Sequence, residues 1–297
     1  MPEGKPEFLT VRELAAFLRV KERKVYALAS SGKIPCSRAT GKLLFPRAAV
    51  EAWLSRHSSG GQSAPRPGVR PLVFAGSHDP LLDWALRESR SGLASFFDGS
   101  LDGLARLKTG QAVAAGVHVY EGAAEDWNRG HVEAELAGEP VVLLEWAWRE
   151  RGFIVAAGNP RKIKRLSDLP GLRFIPRQPE AGTQVLFETL IEREDIDRAA
   201  IAMIAPAARS EADVAVAVSE GTADAGLGLA CIARQFRLGF VPLLRERYDI
   251  VVFRHAYFEP AFQTFIEFCR GGSFRTKAVE LGGYDLARFG RVHFNGP

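Results

Sequence analysis

The stretch Leu72 to Leu86, LVFAGSHDPLLDWAL, reads as a short apolar strand, a tight turn at Gly76 and a helix opening near Ser77-His78-Asp79-Pro80. Asp79 or Ser77 can cap the first free amides of such a helix, and Pro80 suits the first helical position because it has no amide to leave unpaired. The same helix end carries unpaired N–H groups and a partial positive charge, so the turn is also a ready pocket for an oxyanion or a carboxylate. Further along, the pattern repeats: GLARLKTG then QAVAAGVHVY, FIVAAG then LRFIPR, then TQVLFETLIER. Apolar extended runs alternating with amphipathic helices predict an α/β body. Two more loops lead into helices with a glycine and a hydroxyl, Gly99-Ser100 in FFDGSLDGL and Gly182-Thr183 in RQPEAGTQVLFETL. The three openings converge on one ligand if the fold faces them across a cleft.

On the N-terminal side of this body, HSSGGQSAPRPGVR (His57 to Arg70) is rich in Ser, Gly and Pro without apolar periodicity, which marks a linker. The chain of 297 residues then divides into a head (1–56), the linker (57–70) and the body (71–297). The head holds eleven Lys and Arg against five Asp and Glu, while the whole chain is only +4, so the positive charge is concentrated there. Thr10 and Glu13 form a capping box ahead of Val11, Leu14, Ala15 and Leu18, predicting a first helix to Leu18. After a turn at Arg19-Val20, KERKVYALASSG places Val25 and Leu28 inward and ends at Gly32, a C-cap. IPCSRA and KLLFP make a hairpin around Thr40-Gly41, and Arg47 to Leu54 closes the unit with a third helix. Lys21, Arg23, Lys24 and Tyr26 lie on the outer face of the second helix.

Two short helices, a hairpin wing and a closing helix can set the second helix in the major groove of DNA and the wing against its backbone. Cations and the Tyr26 hydroxyl on that helix can reach phosphates or base edges, as can Arg38 and Lys42 of the wing. Thr10 completes the candidate contacts. The run from Leu9 to Leu54 resembles the excisionase-type, MerR-related helix-turn-helix family at Leu9-Thr10, Glu13-Leu14-Ala15, Val25-Tyr26, Gly32-Lys33-Ile34-Pro35, Phe45 and Val50-Trp53-Leu54. The Ser or Thr usual before the second helix is Lys21 here.

The body resembles the periplasmic-binding-protein-like domain of cytoplasmic regulators, related to type II substrate-binding proteins such as the molybdate-binding ones. The likeness is carried by GSHDPLLD (Gly76 to Asp83), GSLDGLARLKTGQAVAAGVHV (Gly99 to Val119), RERGFIVAAGNPRKIKRLSDL (Arg149 to Leu169), RQPEAGTQVL (Arg177 to Leu186), VAVAVSEGTADAGLGLACIA (Val214 to Ala233), FVPLLRERYDIVV (Phe240 to Val252) and GGYDLARFG (Gly282 to Gly290). It implies two α/β lobes, about 71–150 with 242–297 and about 151–241, joined by crossing strands near Arg149 to Asn159 and Val241 to Val252. The ligand would lie in the hinged cleft. By position, that cleft takes Ser77, His78, Asp79, Gly99, Ser100, His118 and Asn128 from one side, Arg177, Gln178, Gly182 and Thr183 from the other, and Asp224 and Tyr248 near the hinge. The family pattern Asn-Arg-Gln-Arg-Gly-Ser-Gly-Thr-Arg stands here as Pro176 to Gln184, PRQPEAGTQ, without its serine and two of its arginines, and the family's Thr-His is Ala212-Asp213.

The fold class expected is therefore multidomain: a small winged helix-turn-helix, mainly α, plus a two-lobed α/β domain. The expected function is a one-component transcription regulator that binds operator DNA and a small anion, with molybdate or tungstate first and a molybdenum-cofactor-related or small organic ligand as the alternative. A homodimer is expected, since one head buries little area on DNA. No apolar run approaches the roughly 20 residues of a membrane helix, and no secretion signal opens the chain, so a cytoplasmic protein with no membrane partner is expected. Cys36, Cys231 and Cys269 are odd in number and far apart, with no CxxC pair, arguing against disulfides and zinc. His78 and His118 lack metal-ligand spacing, so no metal and no cofactor are expected. With no GxSxG, HExxH, Walker or GxGxxG pattern, no catalytic residue is assigned; a catalytic body and a recombination factor are the lesser alternatives.

Overall fold

A computed structural model describes residues 7–31, 34–37, 42–47, 49–50 and 70–297. The chain divides into two compact units, Met1–Gly68 and Val69–Pro297.

In the head, β1 (Phe8–Leu9) leads into α1 (Val11–Leu18) and α2 (Glu22–Ser30), and β2 (Phe45–Pro46) pairs back antiparallel on β1. The capping box at Thr10 and Glu13 forms in both directions. Arg19 turns the chain in the left-handed conformation, and Lys21 starts α2 without a side-chain cap, as its lack of a short hydroxyl dictates. Leu9, Leu14, Ala15, Val25, Ala29, Ile34, Phe45 and Val50 make the core. The wing is represented by the antiparallel bridge Ser37–Leu44; Gly32, Arg38, the Thr40-Gly41 turn and the end of the third helix lie outside the described residues.

The body begins with β3 (Val73–Gly76), α3 (Pro80–Glu88), β4 (Ala94–Phe97), α4 (Ser100–Lys108) and β5 (Ala114–Val117). A two-stranded excursion, β6 (Tyr120–Glu121) and β7 (Asp126–Trp127), and α5 (Arg129–Glu135) lead to β8 (Val141–Val155). Then come β9 (Arg173–Phe174), α6 (Gly182–Arg193), β10 (Ala202–Met203), α7 (Glu211–Ser219), β11 (Ala225–Leu229) and α8 (Ala230–Gln235). The chain returns on β12 (Gly239–Phe253) and finishes with α9 (Arg254–Tyr257), α10 (Pro260–Arg270), α11 (Gly272–Leu281), β13 (Tyr284–Asp285) and β14 (Val292–Asn295).

The mixed sheet runs β10-β9-β11-β8-β12-β5-β3-β4. Its two central strands, β8 and β12, are 15 residues each and antiparallel, about 50 Å long at the usual rise, so each traverses both lobes. The first lobe hangs β5 on Asp249–Val252 of β12, and the second hangs β11 on Arg151–Val155 of β8. Register shifts between Pro242 and Leu244 and between Tyr248 and Asp249 bracket the segment Arg245–Arg247 where the lobes meet. Each lobe has its own apolar core: Phe74, Leu104, Trp146, Phe262 and Phe265 in the first; Phe153, Phe174, Leu186 and Phe187 in the second. Trp146 is wholly buried against the ring of Phe265. Among the described residues no helix is long and apolar enough to cross a membrane.

Candidate functional sites

Gly76 ends β3 with φ 101°, and the chain then turns so that the Ser77 amide bonds the Gly116 carbonyl at 2.8 Å. Ser77 is thereby set beside His118, which follows β5. Ser77 Oγ lies 2.8 Å from His118 Nε2, and His118 Nδ1 lies 3.1 Å from Glu246 Oε2. Asp79 caps α3, accepting from the Leu82 amide at 2.7 Å, but it does more: its carboxylate also accepts from Trp146 Nε1, Tyr284 OH at 2.7 Å and Arg149 Nη1 at 2.9 Å.

Arg149 and Arg151, two apart on β8, project to the same side and share Glu246 Oε1, Arg151 at 2.6 Å. Arg151 then pairs with Glu211 at 2.5 Å, and Glu211 accepts from the Leu229 amide at 3.0 Å. A buried chain Asp79–Arg149–Glu246–Arg151–Glu211 thus crosses from one lobe to the other through the hinge strands. Burial would raise the Glu246 carboxyl, yet Arg149, Arg151 and His118 overcome it and hold it well below the ordinary value. Burial pushes the His118 imidazolium down, with Glu246 opposing. Tyr248 donates to the Ser77 carbonyl, stacks on His118 at 5.8 Å and lies under Arg149.

The second lobe closes on this wall. The Glu180 carbonyl accepts from the Leu101 amide at 3.1 Å, and Arg209 pairs with Asp98. A Cβ on Gly99 would lie 2.6 Å from Glu180 O, and one on Gly182 would lie 2.5 Å from His118 O and 3.0 Å from Ser100 Oγ. Only glycine lets the two backbones approach so closely. Gly182 opens α6 without a side-chain cap, and Thr183 Oγ1 beside it is buried with no hydrogen-bond partner among the described residues. Arg177 is buried; its amide donates to Gln184 Oε1 and its guanidinium to Gln178 Oε1 and the carbonyls of Ala208 and Arg209, and among the described residues it has no carboxylate in ion-pair range. Burial lowers its pKa, opposed by Glu211.

The structure therefore brings together Ser77, Asp79, Gly99, Ser100, His118, Gly182, Thr183 and Tyr248, with Arg177 and Gln178 on the adjoining second-lobe wall. His78 turns to an edge contact with Phe97. Asn128 sits one step away: it accepts from the Val119 amide and donates to Asp249, beside Arg247. Asp224 does not join the group. Its carboxylate pairs with Arg173 and Arg161, is held at about 2 by its bonds to Arg173, and lines a separate cavity of about 80 Å³. Arg149, Arg151, Glu211 and Glu246 were not singled out from sequence. For Arg149, Arg151 and Glu246 the signal is charge inside otherwise apolar extended runs, WAWRERGFIV and RERYDIVV, whereas Glu211 is the first residue of α7.

On the head, Lys21, Arg23, Lys24 and Tyr26 are all exposed, opposite the buried Val25 and Ala29, and Lys42 is exposed too. The Thr10 hydroxyl is committed to the capping box.

A family model for a PBP superfamily domain matches residues 84–270. The chain belongs to the PBP superfamily. A helix-turn-helix domain model matches residues 8–58, so a helix-turn-helix domain precedes the PBP domain. The chain is 25% identical over 299 residues to "Uncharacterized protein YvgK" of Bacillus subtilis (strain 168), across 95% of this chain and 96% of that one. It is 31% identical over 80 residues to an uncharacterized protein in the ferredoxin 2Fe-2S gene 5' region of Clostridium pasteurianum, 27% of this chain and 71% of that protein. Among solved structures, a hydrogen-peroxide-bound cysteine-to-serine mutant of OxyR from Corynebacterium glutamicum aligns with TM-score 0.50 and 15% identity over 92% of this chain and 89% of that one. An ABC-type phosphate transport receptor from Vibrio cholerae aligns with TM-score 0.48 and 17% identity over 71% and 98%. At these identities the likeness to solved structures is one of fold.

Proposed function

We propose that this protein is a one-component transcription regulator whose head binds operator DNA through the exposed face of α2 and whose PBP domain holds a small anion between its lobes. The observation that carries the ligand reading is the donor set at the start of α6. Among the described residues the buried Thr183 hydroxyl has no hydrogen-bond partner and the buried Arg177 has no carboxylate in ion-pair range, and the uncapped helix end adds its partial positive charge. Such donors suit the charged end of molybdate or tungstate, which the family resemblance puts first, and equally that of a small organic acid. Ligand-driven closure of the lobes resets the spacing of two heads in a homodimer, and with it the match to two half-sites in the cytoplasm.

Thermal unfolding of the purified chain against molybdate, tungstate, sulfate, phosphate and small carboxylates tests the reading. A specific ligand at a hundredfold excess over Kd contributes about 2.7 kcal/mol and raises the midpoint by several degrees. Thr183→Val should sharply reduce that rise while leaving the ligand-free midpoint in place; a rise of unchanged size would move the site elsewhere.

One arrangement favours a second reading, hydrolysis, because Ser77, His118 and Glu246 are bonded in the order of a nucleophile, base and orienting acid. Labelling with a fluorophosphonate probe, read by intact mass, separates the two. The regulator reading expects no adduct on Ser77.

A further inference from the structure

Partners determine where the protons sit along Ser77–His118–Glu246. Glu246 is fully buried against two guanidiniums and a histidine, so it is ionised and only accepts. His118 Nδ1, 3.1 Å from it, must carry the proton of the neutral ring. Nε2 is then a lone pair, and Ser77 Oγ at 2.8 Å gives it the only hydrogen it has. The neutral state of His118 agrees with its burial and with the two cations, Arg149 and Arg151, that stand behind Glu246; Tyr248 stacks on the ring and stays protonated, since burial and Asp79 raise it far above its ordinary value. What Ser77 has left to offer the cleft is a lone pair. From the second lobe, the start of α6, set by Gly182 against the His118 carbonyl, and the adjacent Thr183 offer donors, with Arg177 on the same lobe. One wall accepts and the other donates.

We propose, building on the anion site above, that the ligand is an organic acid carrying its own hydrogen-bond donor, a hydroxyl or an ammonium. Its carboxylate meets Arg177, Thr183 and the α6 end, and its donor meets Ser77 Oγ. A fully deprotonated tetrahedral anion presents only acceptors and sets lone pair against lone pair at Ser77. Such an anion enters only if His118 takes up a proton, so that Nε2–H donates to Ser77 Oγ and the serine hydroxyl is released to donate to the anion.

Calorimetric titration of the full chain at pH 8, in two buffers of different ionisation heat, tests this with the pairs lactate and propionate, malate and succinate, alanine and propionate, and with sulfate and molybdate. A donor-bearing member should bind at least about tenfold tighter than its partner lacking the donor, with the same heat in both buffers, because a site built for a hydroxyl strongly rejects the analogue without it. Ser77→Ala should bring the pair within about twofold, whereas Thr183→Val should weaken both members alike. Equal binding of a pair, or sulfate or molybdate bound most tightly without proton uptake, overturns the proposal while the loss in Thr183→Val still upholds the anion site. Binding untouched by Thr183→Val, or no binding by any probe, overturns the anion site and the proposal with it.

Discussion

Replacing Glu246 by glutamine tests both the stability and the polarity of the hinge. The carboxylate is fully buried, and one oxygen serves Arg149 and Arg151 while the other serves His118. Stripping one partner from a buried ion pair usually costs about 3 to 5 kcal/mol. Here each arginine keeps a second carboxylate, Asp79 at 2.9 Å and Glu211 at 2.5 Å, so the low end, about 3 kcal/mol, is expected. For a unit of this size that is a fall of roughly 6 to 12 °C in the unfolding midpoint. The glutamine carbonyl would turn to the arginines and its amide to His118 Nδ1. His118 would then carry its proton on Nε2, and Ser77 would become a donor. The variant should therefore lose its preference for donor-bearing acids and gain affinity for sulfate, read by the same titrations in ligand-saturated and ligand-free scanning calorimetry. A midpoint within about 2 °C of wild type would refute the energetic argument; an unchanged ligand preference would refute the tautomer argument.

Asp249 makes a pH prediction of the opposite sign to the usual carboxylate. Burial, opposed by Arg247, pushes its carboxyl up to about 7, so the folded chain favours the protonated form. That stabilisation is complete below the ordinary value of 3.8 and lost as pH rises through about 7. The midpoint of Asp249→Asn minus that of wild type should accordingly climb between about pH 4 and 8, and a flat difference would contradict the assignment. Gly116→Ala should destabilise by about 1 to 3 kcal/mol, because its Cβ would fall 1.8 Å from the Tyr248 oxygen, which is pinned by its bond to Ser77; urea unfolding reads the loss. On the head, Arg23→Ala and Lys24→Ala should each reduce the salt slope of binding to random-sequence duplex DNA by about one, measured by fluorescence anisotropy, and a slope equal to wild type would remove that side chain from the interface.

Most of the fold was legible because its signals are local. The capping box at Thr10 and Glu13, the helical spacing through Leu14 and Val25, the strand-turn-helix at Gly76 to Pro80 and the glycine-led opening of α6 each depend on residues within a turn or two of one another. Candidate site residues on those openings, Ser77, Ser100, Gly182 and Thr183, were legible for the same reason, as was the outward basic face of α2. Asp224 was misplaced by position alone: its charge is satisfied by Arg173 and Arg161, partners 51 and 63 residues distant in the chain.

Sequence by itself thus determined the two units, the class of each and the loops that could meet a ligand. Only the tertiary structure decided what those loops meet. Glu246 reaches Arg149 across 97 positions, His118 across 128, and Tyr284 reaches Asp79 across 205. No periodicity encodes such pairings, since they exist only once β8, β12, β5 and β13 lie in one sheet in a particular register. The physical consequence of that register is large. It keeps Glu246 ionised in a buried place, and that charge fixes the proton on His118 and the direction of the hydrogen bond at Ser77.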